Sequence, residues 1–279
     1  MSRLETSAPA KINLSLRVLG KRDDGFHELD TWMVTLPGLA DRLTLEDADC
    51  FSFTCDDPAL PTGEGNLVVK ALRAFESAAG ISWNGRIHLE KRIPHGAGLG
   101  GGSSDAAALL MALNDLAESP LPHDRLVETA ASIGSDIPFF LGGGSTRCRG
   151  RGEVLEDAPA APGWRLLLLK PSFAVATPDA YGRWASASPL PGISHGPQTH
   201  DGVELVNDLE VPVFGKHRFL AELKQWLLDR SEVSAALMCG SGSTVFAVLR
   251  DGTDGEHLAR CARQELDPGL WHWCGAIRP

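Results

Sequence analysis

The chain has 279 residues, 43% of them hydrophobic and 22% charged, enough to bury a large core in one big domain or two joined lobes. Its formal net charge is −10, from 26 basic and 36 acidic residues, which leaves no global positive field to collect nucleic acid or anionic lipid, so an anionic substrate must be held by local groups. The longest apolar stretches, such as 166–169 and 106–113, fall far short of the ~20 residues of a bilayer span. The six cysteines show no C-x-x-C pair and no zinc-type spacing, as expected of reduced thiols in a cytoplasmic protein. The N-terminus has no basic segment followed by an apolar stretch, so no removable targeting segment is expected.

Residues 10–19 (AKINLSLRVL) alternate, with Ile12, Leu14, Leu16 and Val18 on one face and Lys11, Asn13, Ser15 and Arg17 on the other. This predicts a half-buried strand with a polar face. Further strand-like runs at 31–36, 42–45 and 51–55, separated by Gly, Pro and Asp, predict antiparallel sheet across the first fifth of the chain. A helix is predicted over about 67–79, with Val68, Leu72, Phe75 and Ala79 on one face and Asn66 as its N-cap. A strand carrying Ile87, Leu89 and Ile93 follows, then a glycine cluster. A second helix is predicted over about 104–117, striped by Ala106, Leu109, Leu110, Leu113 and Leu116.

Around 142–152 the chain turns glycine-rich and basic, and an apolar strand at 166–169 opens a second lobe. The boundary is placed near residue 150, dividing the chain into 1–150 and 151–279. The stretch 186–202, rich in Pro, Ser, Gly and His without periodicity, predicts an exposed loop.

The strongest single feature is PHGAGLGGGSSDAAALL at 94–110, where a strand runs through glycines and two serines directly into a helix. Such a turn wraps a phosphate: glycines let the backbone approach an oxyanion without Cβ clash, and the helix N-terminus offers free N–H groups and partial positive charge. Pro94, Gly96, Gly98, Leu99, Gly100, Gly101, Gly102, Ser103 and Ser104 form the candidate cradle, the two serines adding hydroxyl donors or a metal contact. A flexible linker would lack the strand before and the striped helix after. Gly96, Gly98 and Gly101 satisfy G-x-G-x-x-G, but the motif comes late, after antiparallel-looking strands, and its strand alternates charge, which argues against a dinucleotide site. The form G-x-x-x-x-G-K-[ST] and the protein-kinase elements H-R-D and D-F-G are absent from the sequence.

Three segments, PAKINLSL near the start, the PHGAGLGGGSSDAA loop and CGSGSTVFAVL at 239–249, together resemble the GHMP kinases in order and spacing. The resemblance covers nearly the whole chain. It implies an α+β, two-lobed GHMP kinase fold with a ribosomal-protein-S5-like N-terminal lobe that binds ATP and a ferredoxin-like C-terminal lobe that completes the substrate site. Within the superfamily, APAKINLSLRVLGKRDDGFHELDT (8–31) and GSDIPFFLGGGSTRCRGRGE (134–153) look like the branch acting on a cytidyl substrate in the non-mevalonate isoprenoid pathway. The implied reaction moves the γ-phosphate of ATP, with Mg²⁺, to the 2-hydroxyl of 4-diphosphocytidyl-2-C-methyl-D-erythritol. Two departures from the family pattern, Ala97 inside the glycine run and Ser135 before the aspartate, are mild.

The resemblance also implies roles. Lys11 and Asp136 match the family's charged pair, with Asp136 the candidate base and Lys11 beside it. Taken singly, Lys11 reads as a solvated strand charge and Asp136 as a cap in G-S-D-I-P. Asn13, on the same face as Lys11, is expected to hydrogen-bond the substrate. Phe26 and Tyr181 are expected to sandwich a cytosine whose polar edge His27 reads, with Thr177 just ahead of Tyr181; core packing is the alternative for both aromatics. Gly240, Ser241 and Gly242 are expected to close over the substrate's phosphates, a tight hairpin turn being the alternative. Asn207 and Asp208 in V-N-D-L-E resemble a family element to which no mechanism attaches. The expected partner is a small molecule, with no nucleic acid and no membrane. The competing functions are a GHMP kinase for homoserine, mevalonate or a sugar, which would not need the Gly-Phe-His segment, and a catalytically silent nucleotide-binding relative, against which the presence of both Lys11 and Asp136 argues.

Overall fold

The computed structural model describes residues 3–117 and 121–277; the outer ends of the two expected lobes, at 1–2 and 278–279, lie outside them. Strands β1 (Leu4–Lys21) and β2 (His27–Asp47) form one long antiparallel pair. The runs expected as separate strands at 31–36 and 42–45 therefore belong to a single strand. Its register slips between Ala10↔Leu36 and Pro9↔Ala40, so Pro37, Gly38 and Leu39 form a bulge that carries the strand through residues resembling a turn.

Strand β3 (Ser52–Cys55), helix α1 (Leu67–Ala79) and strand β4 (Gly85–Glu90) come next. The opening sheet is not purely antiparallel, because β3 runs parallel to β4. Asn66 starts α1 as expected, its Oδ1 accepting from the Val68 N–H at 2.9 Å. Helix α2 (Gly101–Leu116) begins three residues before the expected Ser104, because Gly100 in the left-handed region at φ 71° turns the chain straight from the glycine run into the helix.

Helices α3 (His123–Ile133) and α4 (Ile137–Gly142) lead to the hairpin β5 (Ser145–Gly150) and β6 (Val154–Asp157), with β5 paired to β2. Strand β7 (Arg165–Lys170) opens the second sheet, followed by α5 (Thr177–Arg183). The chain then returns to the first sheet through the hairpin β8 (Gln198–His200) and β9 (Val203–Asn207), with β9 parallel to β1. The stretch expected as loop thus ends in half of a hairpin, a three-residue strand too short for periodicity to reveal. Helices α6 (Glu210–Lys216) and α7 (Arg218–Leu228), strands β10 (Val233–Met238) and β11 (Val245–Leu249), helix α8 (Gly255–Glu265) and strand β12 (Trp271–Ala276) complete the chain.

The first sheet orders its main strands β3-β4-β2-β1-β9-β8, and the second β10-β11-β7-β12. Helices α1 and α2 pack on the first sheet through Val68, Leu72, Phe75, Leu109 and Leu113. Leu167 and Leu169 of β7 pack with α7 and α8 residues, while Leu166 and Leu168 pack with Ile12 and Leu14 of β1. A strand buried on both faces reads as a continuous apolar run, which is why 166–169 does not alternate. All six cysteines are free thiols. No helix among the described residues is long and apolar enough to cross a membrane.

Candidate active site

One cavity of about 820 Å³ runs between the two sheets' ends. Its floor is the polar face of β1. Lys11 and Asn13 are only 4% and 2% exposed, so this face is buried as well as polar. Lys11 Nζ donates to Asn13 Oδ1 at 2.8 Å, Asn13 Nδ2 to Thr31 Oγ1 at 2.7 Å, and Thr31 Oγ1 to the Ser15 carbonyl at 2.7 Å. A solvated strand charge is excluded by that burial. Asp136 stands 3.7 Å from Lys11 Nζ, with its side chain 41% exposed. It occupies the N-terminal position of α4 but caps nothing, so its carboxylate is free for the cavity.

The glycine run is gripped from both sides. The Lys11 N–H of β1 donates to the Leu99 carbonyl at 2.9 Å, and the Thr244 N–H donates to the Ala97 carbonyl at 3.1 Å. At Gly98, with φ 76°, a Cβ would overlap the Cys239 carbonyl oxygen. At Gly100 it would lie 2.9 Å from Phe140 of α4 and 3.0 Å from the Lys11 stem. The glycine run is thus in backbone contact with β1 and the 239–244 turn and packs against the Phe140 side chain of α4, which fixes Asp136, Lys11 and the N-terminus of α2 relative to one another.

Every residue expected at the site lines this cavity except Ser104. Ser104 is 1% exposed, its N–H is taken by the Gly100 carbonyl at 2.9 Å, and its hydroxyl is buried without a hydrogen-bond partner. Starting α2 at Gly101 turns Ser104 inward and leaves Ser103 on the wall. Thr177 and Ser241 face each other, their hydroxyl oxygens 2.8 Å apart.

The aromatic end departs from the expected sandwich. Tyr181 of α5 stacks on His27, ring centroids 5.3 Å apart, and Trp184 meets His27 edge-on at 6.0 Å. Phe26, at the tip between β1 and β2, is 49% exposed, and the Arg151 guanidinium lies over its ring at 4.8 Å. Phe26 thus stands clear of the core, whereas Tyr181 is partly buried and packs against the apolar cluster of the second sheet. Burial, with Lys21 nearby, lowers the His27 pKa, so at neutral pH the ring is uncharged and offers one donor and one acceptor. Burial, and to a lesser extent the Asp136 charge, pushes the Tyr181 phenol upward.

Sequence reasoning missed a buried charge cluster under the phosphate loop. Lys91 Nζ is bonded to Asp41 Oδ2, and to Asp105 Oδ2 at 2.8 Å. Asp41 Oδ1 also accepts from the Arg92 and Ile93 N–H groups at 2.6 and 2.8 Å. Burial lowers the Lys91 pKa, but the charges of Asp105 and Asp41 outweigh it and raise it overall. Burial pushes Asp105 up to about 8 against the pull of Lys91. Its Oδ1 is buried without a partner, as suits a neutral acid. The three residues come from β2, the residue following β4 and α2, and no single stretch of sequence displays them together.

A raised folded-state pKa means that the native state holds a proton the unfolded chain has released, so this group's stabilisation falls as pH rises from the ordinary carboxylate range to about 8. Asp105→Asn mimics the protonated acid. Thermal unfolding at pH 5 and pH 8 should show the variant gaining on the parent at the higher pH; a gap independent of pH would leave Asp105 ionised throughout.

Comparisons with known proteins add to this geometry. The GHMP kinases N terminal domain family matches residues 66–144, and the GHMP kinases C terminal family matches 199–267. A 4-diphosphocytidyl-2-C-methyl-D-erythritol kinase of Methylacidiphilum infernorum is 40% identical over 273 residues, covering 96% of this chain and 94% of its own. The enzyme of that name from Protochlamydia amoebophila is 40% identical over 248 residues, covering 89% of this chain and 85% of its own. A crystal structure of 4-(cytidine 5'-diphospho)-2C-methyl-D-erythritol kinase superposes with a TM-score of 0.78 at 36% identity over 98% of both chains. A homoserine kinase structure from Cytophaga hutchinsonii, at 17% identity, superposes with a TM-score of 0.73 and shares the fold.

Proposed function

This chain belongs to the GHMP kinases, and from that membership we propose that it transfers the γ-phosphate of ATP to the 2-hydroxyl of 4-diphosphocytidyl-2-C-methyl-D-erythritol in the non-mevalonate isoprenoid pathway. The observation that carries this reading is one continuous cavity joining a phosphate loop and the Lys11–Asp136 pair to an aromatic end at Phe26, His27 and Tyr181. A kinase for homoserine, mevalonate or a free sugar has no use for a base-binding end.

The ATP triphosphate lies along Pro94, Gly96 and 98–103, over the N-terminus of α2. Lys11 and Asp136 hold the acceptor hydroxyl, Asp136 taking its proton, and Asn13 bonds the polyol. Phe26 supplies the stacking face for cytosine and the neutral His27 reads its polar edge. Tyr181 backs His27, fixing its ring. Thr177, Gly240, Ser241 and Gly242 close over the substrate's phosphates.

A Mg²⁺ ion fits this donor set. Ser103 lines the cavity at the N-terminus of α2 and offers a hard hydroxyl oxygen to an ion otherwise carried by phosphates and water. Ser103 would hold it, and the ion would neutralise charge on the transferring phosphate. Residues 1–150 serve as the ATP-binding lobe and 151–279 complete the substrate site, β9 reaching back to β1. The working compartment is the cytoplasm.

The test is ADP release with the cytidyl acceptor against mevalonate, homoserine, galactose and no acceptor. Turnover with the cytidyl compound alone supports the proposal, and turnover with another acceptor replaces it. Phe26→Ala sharpens the test. Stacking is worth ~1–3 kcal/mol per base, so cytidyl-substrate affinity should fall by about 5- to 150-fold while ATP affinity holds. Calorimetric titration of each ligand checks this; equal loss for both would remove Phe26 from the base site.

A further inference from the structure

Behind the cavity, the V-N-D-L-E segment at the end of β9 meets the turn that joins β10 to β11. Asn207 is 1% exposed. Its Nδ2 donates to the Met238 and Gly240 carbonyls, both at 2.7 Å, and its Oδ1 accepts from the Leu209 N–H at 2.9 Å. Two acceptors on one side and a donor on the other leave a single sensible orientation for the carboxamide.

The opposite side of the turn faces the chemistry. A Cβ on Gly240 would lie 3.3 Å from Lys11 Nζ and 3.4 Å from Asn13 Oδ1, and Thr244 bonds the phosphate loop at Ala97. Asn207 itself is referenced to β1. It sits beside Leu16 in the parallel ladder, the Asp208 N–H donates to the Leu16 carbonyl at 2.9 Å, and Asp208 Oδ2 accepts from the Val18 N–H at 2.9 Å. One strand therefore carries Lys11 and, through Asn207, sets the height of the turn above Lys11.

We propose that Asn207 is a positioning residue whose carboxamide holds the 239–244 turn against Lys11, Asn13 and the phosphate loop. It touches no substrate. Two donors on one rigid side chain are needed, because the turn spends its own N–H groups elsewhere: Cys239 on Thr244 and Gly242 on Cys239, both at 2.8 Å. Without the carboxamide, the Met238 and Gly240 carbonyls lose their common anchor, and the turn is held only by bonds at its far side, from Thr244 to Ala97, Ser243 to Phe173 and between Ser241 and Thr177, which do not fix the height of Gly240 over the lysine.

Asn207→Asp keeps the shape but sets a carboxylate oxygen against two carbonyl oxygens. Amide hydrogen exchange in the 240–244 turn should speed up by about tenfold or more while α1 stays as protected as in the parent. Turnover should fall by about 10- to 100-fold, the scale of an ångström-size misplacement, with acceptor KM raised. Gln198→Ala is the control. It removes two hydrogen bonds to Ala236 of β10, from the same hairpin but away from the turn, and should leave turnover near parental. If Asn207→Asp does not fold, Asn207→Ser, with one donor, should show the same pattern more weakly. Unchanged exchange in the turn, or a loosened turn with parental turnover, overturns the proposal. The turnover arm rests on the cytidyl-kinase reading. A parent inactive on that acceptor sinks the reading, whereas exchange still decides whether Asn207 holds the turn.

Discussion

Asp136→Asn is expected to lower turnover by ~10²–10⁴ while the protein stays folded and binds both ligands nearly as tightly as the parent. The substitution preserves shape and removes the proton-accepting charge. Stability should be largely spared, because the Asp136 side chain is 41% exposed, caps no helix and meets the buried Lys11 only at 3.7 Å, while the Lys11 ammonium keeps its hydrogen bond to Asn13. Lys11 does not depend on Asp136 for its place, since Asn13 holds its ammonium at 2.8 Å. Loss of activity would therefore report on the hydroxyl and not on a collapsed lysine. Single-turnover phosphoryl transfer at saturating ATP and acceptor reads the chemical step, and calorimetry reads binding. A variant keeping more than about a tenth of parental turnover would leave Asp136 an orienting role, given the size of general-base effects.

What could be read from the chain before its structure follows a physical division. The turn from the glycine run into α2 was legible because it is local: glycines, serines and a striped helix follow one another directly in sequence. The α1 cap was legible for the same reason, Asn66 acting on a residue two positions away. The Lys91–Asp41–Asp105 cluster was not. Its members are separated by 50 and 14 positions, and each alone looks like an ordinary surface charge. The β2 bulge hid behind Pro37 and Gly38, residues that mark turns far more often than strand interiors. Ser104 was misplaced because the sequence shows that a helix follows the glycines but not the turn at which it starts. Asn207 stood out in sequence without a role, since its partners, Met238 and Gly240, lie 31 and 33 positions on. The aromatic end was found as residues but not as geometry, for ring orientation depends on how α5 meets the β1–β2 tip.

Gly98→Ala should be the most damaging single methyl addition at this site. Two effects combine there. The residue sits at φ 76°, where an L side chain costs ~1–2 kcal/mol. Its Cβ would also overlap the Cys239 carbonyl oxygen and stand 3.0 Å from the Gly242 carbonyl. Those neighbours are backbone and cannot rotate aside, so the phosphate loop and the 239–244 turn must part. Parting them strains the Thr244-to-Ala97 bond at 3.1 Å and lifts the turn from Lys11 and Asn13, so both ligands lose their seat at once. ATP affinity should drop, and turnover should fall on the order of 10²-fold or more, as expected when reacting groups shift by an ångström. Gly252→Ala separates the two causes, because Gly252 has φ 78° with nothing within 4 Å of its Cβ position, in the turn before α8. It should lose stability on the order of 1–2 kcal/mol from the dihedral alone and keep ATP affinity and turnover. If Gly98→Ala binds an ATP analogue as tightly as Gly252→Ala does, the loop and the turn are not the interlocked pair that places the phosphate beside Lys11.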